Sequence, residues 1–234
     1  AKEDIQTEFV PDFDDCLVLP ERKNVFTTQC FKKGYFEVQD ASSQLIAPLL
    51  GVQPGQRVVD ACAGAGGKTL HMAAMMKNKG KIIAMDIHEW KLAELKKRAA
   101  RDGVDIIETK VIESTKTFKR LEANFDRVLL DVPCSGLGVL RRNPDTKWKL
   151  SQDEIVRLID LQKSILTDYS RMCKPNGFMV YATCSILNSE NEDQVKWFLG
   201  TEAGQNWNLV KEIRMWPHKE GHDGFYGALL QRKP

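Results

Sequence analysis

Four apolar runs, Arg57–Cys62, Lys81–Ile87, Phe125–Val132 and Gly177–Thr183, punctuate the chain with longer amphipathic stretches between them. Short runs rich in Val, Ile and Leu, each followed by small or turn-forming residues, predict strands buried on both faces of a sheet. The intervening segments Lys68–Lys77, Glu89–Arg101 and Ser151–Cys173 repeat apolar residues every three or four positions, which predicts helices. In Glu89–Arg101 the inner stripe is Leu92, Leu95 and Ala99, leaving Lys91, Lys96, Lys97, Arg98 and Arg101 for the outer face. A further strand is expected at Ile106–Ile112, a short helix at Asn191–Leu199, and a final strand pair at Leu209–Met215 and Phe225–Gln231. Strand and helix alternate as in βαβ units, so the fold class is α/β: Rossmann-like, with a mostly parallel doubly wound sheet and a C-terminal antiparallel strand. Residues 1–50, acidic and proline-punctuated at first and ending in a helix over Ala41–Leu50, are expected to be a lead-in packing on the core, and residues 51–234 the main domain.

The 234 residues suffice for one large core, and a net charge of +2 argues neither for nor against a polyanionic partner, because that depends on where the basic residues lie. The six cysteines (16, 30, 62, 134, 173, 184) lack zinc or dithiol spacing, and no signal peptide or long apolar span accompanies them. Reduced thiols, no metal, no membrane, a cytoplasmic location and a monomer are expected. The chain opens at Ala1 without methionine, which leaves open a processed protein or part of a longer one.

Ligands of doubly wound sheets bind outside the carboxyl ends of the strands, which here carry Asp60, Cys62, Asp86, Asp131, Cys134 and Cys184. The first strand leads into Asp60-Ala61-Cys62-Ala63-Gly64-Ala65-Gly66-Gly67-Lys68-Thr69, a small-residue loop opening onto a helix. A phosphate-binding P-loop would need glycine at position 62, and the dinucleotide spacing lacks its third glycine. Asp86, roughly twenty residues on at the end of the second strand, is placed to accept both hydroxyls of a ribose. A ribose acceptor beside a glycine loop without a phosphate code points to a nucleoside cofactor, S-adenosylmethionine, with Glu113 near the adenine edge and Asp131 near the sulfonium or a target base. The competing reading is tight strand–helix packing with solvated acidic strand ends.

Cys134 in Asp131-Val132-Pro133-Cys134-Ser135-Gly136 and Cys184 in Thr183-Cys184-Ser185 end predicted strands and can face one substrate. A thiolate adds to carbon 6 of a pyrimidine, activates carbon 5 and later leaves, which is the chemistry such a pair can supply. A lone buried cysteine is more often a small hydrophobe, which is the reading taken for Cys62.

These residues resemble the Sun/Nop family of RNA cytosine-5 methyltransferases, which includes ribosomal RNA enzymes of the RsmB type. The resemblance spans about residues 26 to 232 and also rests on Gln39-Asp40-Ala41-Ser42-Ser43, Gly66-Gly67-Lys68-Thr69, Arg142-Asn143-Pro144-Asp145 with Trp148, and Asp223-Gly224-Phe225. It implies a class I methyltransferase domain that binds S-adenosylmethionine through Cys62, Ala63, Gly64, Ala65, Gly66, Gly67 and Lys68 with Asp86, Glu113 and Asp131. It further implies Cys184 as nucleophile and Cys134 as the thiol assisting product release. Asp131 would hydrogen-bond the target base, and Lys68 would tune a thiol or orient the base, unless it is merely solvated. Two positions depart from the family's pattern: the loop reads Ala-Gly-Ala-Gly-Gly where relatives commonly have Ala-Ala-Pro-Gly-Gly, and Glu113 stands where aspartate is usual. Losing the proline leaves the unbound loop more freedom. Many relatives also carry a separate RNA-binding domain.

The partner implied is RNA, ribosomal first and transfer RNA as the alternative. Arg141, Arg142, Lys147, Trp148 and Lys149, a basic run with one aromatic, are the expected contact, against the plainer reading of a solvated loop with a packed Trp. A DNA cytosine-5 methyltransferase would leave Cys184 unexplained, a nucleotide hydrolase is opposed by Cys62, and a non-catalytic RNA-binding module stays open on residues alone.

Overall fold

The computed structural model of the chain describes residue 3 and residues 5–11, 13–114 and 116–234; positions 1, 2, 4 and 12 of the expected acidic lead-in lie outside the described residues, as does 115. Seven strands form the main sheet: β1 Arg57–Asp60, β2 Lys81–Asp86, β3 Ile107–Val111, β4 Phe125–Asp131, β5 Cys173–Thr183, β6 Trp207–Met215 and β7 Phe225–Arg232. Their spatial order is β3-β2-β1-β4-β5-β7-β6. Neighbours from β3 to β5 are parallel, and β7 runs antiparallel to both β5 and β6. This is the Rossmann-like arrangement expected, with order reversing between β1 and β4. A small antiparallel ribbon, Glu8–Phe9 with Leu17–Val18, belongs to the lead-in.

The side-chain period of two divides the core between the sheet's faces. Val59, Ile83, Val128, Leu130 and Tyr181 pack with Leu166 and Phe198 on one side. Val58, Ile82, Leu129 and Val180 pack with Leu50 and Met72 on the other. Four longer helices cover the sheet: α1 Gly67–Met75, α2 Glu89–Arg101, α3 Gln152–Tyr169 and α4 Glu192–Leu199.

Differences from the expected boundaries have local causes. The helix expected over Ala41–Leu50 is two, Ala41–Gln44 and Ile46–Leu50; Pro48 has no N–H for the Gln44 carbonyl, so the ladder fails at this seam. Ile46, Ala47 and Leu50 are nevertheless fully inside the core. Helix α3 stops at Tyr169 rather than reaching Cys173, because Cys173 already pairs with Phe125 in the sheet. Between Cys173 and Phe178, Asn176 sits at φ 63° and the register jumps, so Arg127 pairs with Phe178. On α2 the apolar stripe is as expected, but Arg98 and Arg101 are not on an outer face: both are half-buried against Glu37 of the lead-in. Helical period alone cannot show that a preceding segment folds back over a helix flank. Among the described residues no helix is long and apolar enough to cross a membrane.

Candidate active site

At the switch point the loops after β1, β2 and β3 are stitched together by their backbones. Ala63 N–H donates to the Met85 carbonyl at 2.9 Å and Ile112 N–H to the Asp86 carbonyl at 3.0 Å. The Asp86 carboxylate accepts Gly64 N–H on Oδ2 at 2.9 Å and His88 N–H on Oδ1 at 2.8 Å. Each of those oxygens keeps a second lone pair, so Asp86 retains the capacity to accept two hydroxyls. Gly64 (φ 54°) has nothing within 4 Å of where a Cβ would stand, whereas a Cβ on Gly66 (φ 90°) would lie 2.1 Å from Leu95 Cδ1. One glycine thus leaves open space beside Asp86, and the other lets α2 approach the loop. An acidic acceptor facing a bare main chain fits a nucleoside. Ala65 carries no proline restraint, but its carbonyl accepts from Arg98 Nη1 at 2.7 Å. Cys62 packs against the core, and burial, then Asp60, pushes its thiol well up, in line with a packing role. Glu113 lies exposed beyond β3.

The register Asp131↔Ala182 brings the ends of β4 and β5 level, and the loops that follow place Cys134 Sγ 3.4 Å from Cys184 Sγ. Lys68, opening α1, donates to Asp131 Oδ2 at 2.7 Å with only 12 % of its side chain exposed. Its Nζ also lies 4.8 Å from the centre of the Phe225 ring. The solvated alternative for Lys68 is therefore incorrect: the lysine is held at the site. A cavity of about 240 Å³ is lined by Cys184, Lys68, Asp131, Phe225, Asp40 and Asp223, among others. Cys134 is not in that lining, although its sulfur lies within hydrogen-bond distance of Cys184. The hydrogen bond with Cys134 holds the Cys184 thiol below its usual range against burial and the Asp131 charge, with a smaller contribution in the same direction from Lys68. The Cys134 thiol is pushed well up by the same bond and by burial. The two directions are opposite, so the shared contact favours ionisation of Cys184 over that of Cys134.

Asp40, Ser43, Asn143, Asp223 and Phe225 also reach the cavity. The sequence places His222-Asp223-Gly224-Phe225 in a turn near the pocket, and the topology adds Asp40, Ser43 and Asn143 to the same wall. Glu190, fully buried beneath the thiols, was missed. Its only signal is a polar Asn188-Ser189-Glu190-Asn191 run after Cys184, which reads as a helix start.

Beside the cavity, and sharing Arg142 and Asn143 with it, an open groove of about 530 Å³ runs along Pro144, Asp145, Thr146 and Lys149. Trp148 is 80 % exposed, so it is not the packed Trp of the plainer reading, and Lys147 Nζ lies 4.7 Å from its ring centre. Arg142 pairs with Asp223 at 2.5 Å, Arg141 donates to the Gly221 carbonyl at 2.8 Å, and Lys149 meets Asp145 at 3.0 Å. Of the basic run, Arg142 and Lys149 line the groove, and part of the run's charge is already compensated.

Residues 47–231 match the family model described as 16S rRNA methyltransferase RsmB/F. The chain is 35% identical over 222 residues to the probable ribosomal RNA small subunit methyltransferase B of Bacillus subtilis, covering 88% of this chain and 50% of the relative. Among solved structures, the methyltransferase homolog protein from Pyrococcus horikoshii superposes with a TM-score of 0.84 at 28% identity, over 99% of this chain and 79% of that one. NSun6 from the same organism, solved with SFG, gives 0.82 at 27% identity, over 91% of this chain and 57% of that one. The chain spans about half the length of the curated relatives it matches.

Proposed function

Because the chain belongs to the 16S rRNA methyltransferase RsmB/F family, we propose that it methylates carbon 5 of a cytosine in RNA, ribosomal RNA by analogy with its relatives, through a covalent adduct on Cys184. S-adenosylmethionine, when bound, supplies an electrophilic methyl group on a sulfonium; SFG, bound to the NSun6 neighbour, is an analogue of it. Asp86 and the main chain of Ala63–Gly67 would hold its nucleoside, with Glu113 at the adenine edge.

The chain's own residues carry the rest. Cys184 as thiolate forms a bond to carbon 6, and the displaced π-electrons make carbon 5 nucleophilic. Asp131, steadied by Lys68, hydrogen-bonds the ring nitrogen or exocyclic amine as charge develops. Once carbon 5 carries the methyl group, a base removes its proton, the ring double bond re-forms and the carbon–sulfur bond breaks. Cys134, 3.4 Å from the leaving sulfur, serves this release. Arg141, Arg142, Lys147, Trp148 and Lys149 would bind phosphate and an unpaired base at the rim.

The observation that carries this reading is that Cys184 lines the cavity beside the Lys68–Asp131 pair, with the Cys134 sulfur 3.4 Å from its own. Incubation with RNA and methyl-labelled S-adenosylmethionine tests it. Cys184→Ala is expected to lose methylation and form no adduct. Cys134→Ser is expected to attack, methylate and stall, accumulating a labelled protein–RNA adduct that survives denaturing electrophoresis and disappears when Cys184 is also replaced. An adduct trapped in Cys184→Ala and absent from Cys134→Ser would reassign the nucleophile. Full activity in both would reduce the pair to buried thiols.

A further inference from the structure

Glu190 has no accessible surface, yet none of the donors around its carboxylate is a cation. Oε1 accepts Ser135 N–H at 2.8 Å and Gln162 Nε2 at 3.0 Å. Oε2 accepts both serine hydroxyls, Ser135 and Ser185, at 2.5 Å. These serines directly follow Cys134 and Cys184. The neighbouring residue extends the grip: Asn191 Nδ2 donates to the Ser185 carbonyl at 3.0 Å, and its Oδ1 accepts the Thr183 hydroxyl. Gln162, from α3, also donates to the Pro133 carbonyl at 3.0 Å, and Tyr181 donates its hydroxyl to the Glu190 carbonyl at 2.7 Å. Residues 133–135 and 183–185, which carry the thiols, therefore have one common anchor. An apolar residue would fill that space without the cost of burying a carboxylate among neutral donors.

We propose that Glu190 is a positioning residue for methyl transfer, clamping the Cys134 and Cys184 loops so that the two sulfurs stay within hydrogen-bond reach and Cys184 faces the cavity. This rests on the reading of Cys184 as nucleophile. Glu190 is absent from the cavity lining. Its charge also acts to raise the Cys134 thiol.

Glu190→Gln preserves volume and the Oε1 acceptor, but sets an NH₂ against two hydroxyls that had been donating. Two measurements read the result. The first is alkylation of Cys184 by iodoacetamide across pH, located by peptide mass spectrometry in protein without RNA. Cys134, Asp131 and Lys68, the other groups acting on Cys184, are unaltered in the variant. The second is kcat and KM for methylation, with S-adenosylmethionine affinity by calorimetry. The expected result is a Cys184 alkylation midpoint moved to higher pH and kcat lower by about 100-fold, since misplacing a reacting group by an ångström suffices for that, with KM and cofactor affinity unchanged. Glu190→Asp, which keeps the charge, should recover part of the loss. An unchanged midpoint and kcat in a cooperatively unfolding Glu190→Gln would overturn the proposal, as would a parallel loss of cofactor affinity, KM and kcat. Should Glu190→Gln fail to fold, Ser185→Ala, which removes the hydroxyl tether beside Cys184 together with its contacts to Leu187 N–H and Ser135, decides by the same readouts. Wild-type protein that does not methylate cytosine would refute the function, while the alkylation arm still reads the clamp.

Discussion

Asp60, buried at the end of β1, receives the Thr69 hydroxyl on Oδ2 at 2.7 Å, while its Oδ1 is buried without a partner. Burial pushes its carboxyl up to about 7, with the Asp131 charge acting in the same direction. In the unfolded chain an aspartate titrates near 3.9, so between about pH 4 and pH 7 the folded state holds a proton that the unfolded state has lost. The stability this contributes is fully present below about pH 4 and is lost as pH rises through about 7. Asp60→Asn, which mimics the protonated form, removes that dependence: urea unfolding at about pH 5 and pH 8 should show wild type losing roughly 2–3 kcal/mol relative to the variant. Equal slopes would refute the raised value. Asp86, at the next strand end, differs because both its oxygens have N–H donors. Asp86→Ala should weaken S-adenosylmethionine binding by about 1–3 kcal/mol in calorimetry, from lost hydroxyl contacts and a freed Gly64. Asp86 and the thiols were readable in sequence because each ends an apolar run at the rim where such folds bind ligands. Glu190 was not, because its role depends on two serines brought together only by the pairing of β4 with β5.

The loop between β1 and α1 shows how an element can be restrained by its neighbours instead of its own residues. Without the proline common in relatives, its freedom is limited by Asp86 at Gly64 and by Arg98 of α2 at the Ala65 carbonyl. Glu37 of the lead-in accepts from Arg98 Nη2 at 2.9 Å, so the loop, α2 and the lead-in are linked through one guanidinium. The strand and helix periods made these elements legible, including the α2 core stripe. They placed Arg98 on the wrong side because helix faces are assigned from polarity, and an arginine paired inside looks the same as one in water. Gly66 and Gly64 both have left-handed backbones, yet the surroundings of each predict different outcomes. Gly66→Ala drives a methyl into Leu95 and should lower unfolding stability by about 1–3 kcal/mol. Gly64→Ala meets no protein atom, so its stability loss should stay near the roughly 1–2 kcal/mol of backbone strain, while its methyl enters the space proposed for the nucleoside and weakens cofactor binding. Calorimetric affinity beside urea unfolding for each variant checks the contrast; equal stability losses would show that Leu95 moves aside.

Across the whole molecule, the sheet's reversal of order puts two cavities in series on one edge. The inner one carries Cys184 and the Lys68–Asp131 pair, and the outer groove begins at the shared Arg142 and Asn143. A net charge of +2 over the chain conceals this, because the rim's cations are local and several face nearby acids: Arg142 with Asp223, Lys149 with Asp145. Pairing changes what each is expected to contribute. The Arg142 partner is buried, with burial and Asp40 raising the Asp223 carboxyl, so removing Arg142 disturbs the cavity wall as well as any phosphate contact. Lys149 and its partner are both largely exposed, so that pair is weak and the lysine can turn to a phosphate at little cost. Lys147 and Lys149 are therefore the variants that isolate RNA binding from the shape of the site. Replacing both with glutamine should reduce the salt slope of log affinity for RNA by about 1 to 2, lower affinity most at low salt, and leave S-adenosylmethionine binding unchanged. Trp148→Ala should lower affinity by about 1–3 kcal/mol for single-stranded RNA with little change in slope, as loss of stacking rather than of charge requires. Filter binding across a salt series separates the two effects, and a slope unmoved by the double lysine variant would place the RNA footprint elsewhere on the molecule.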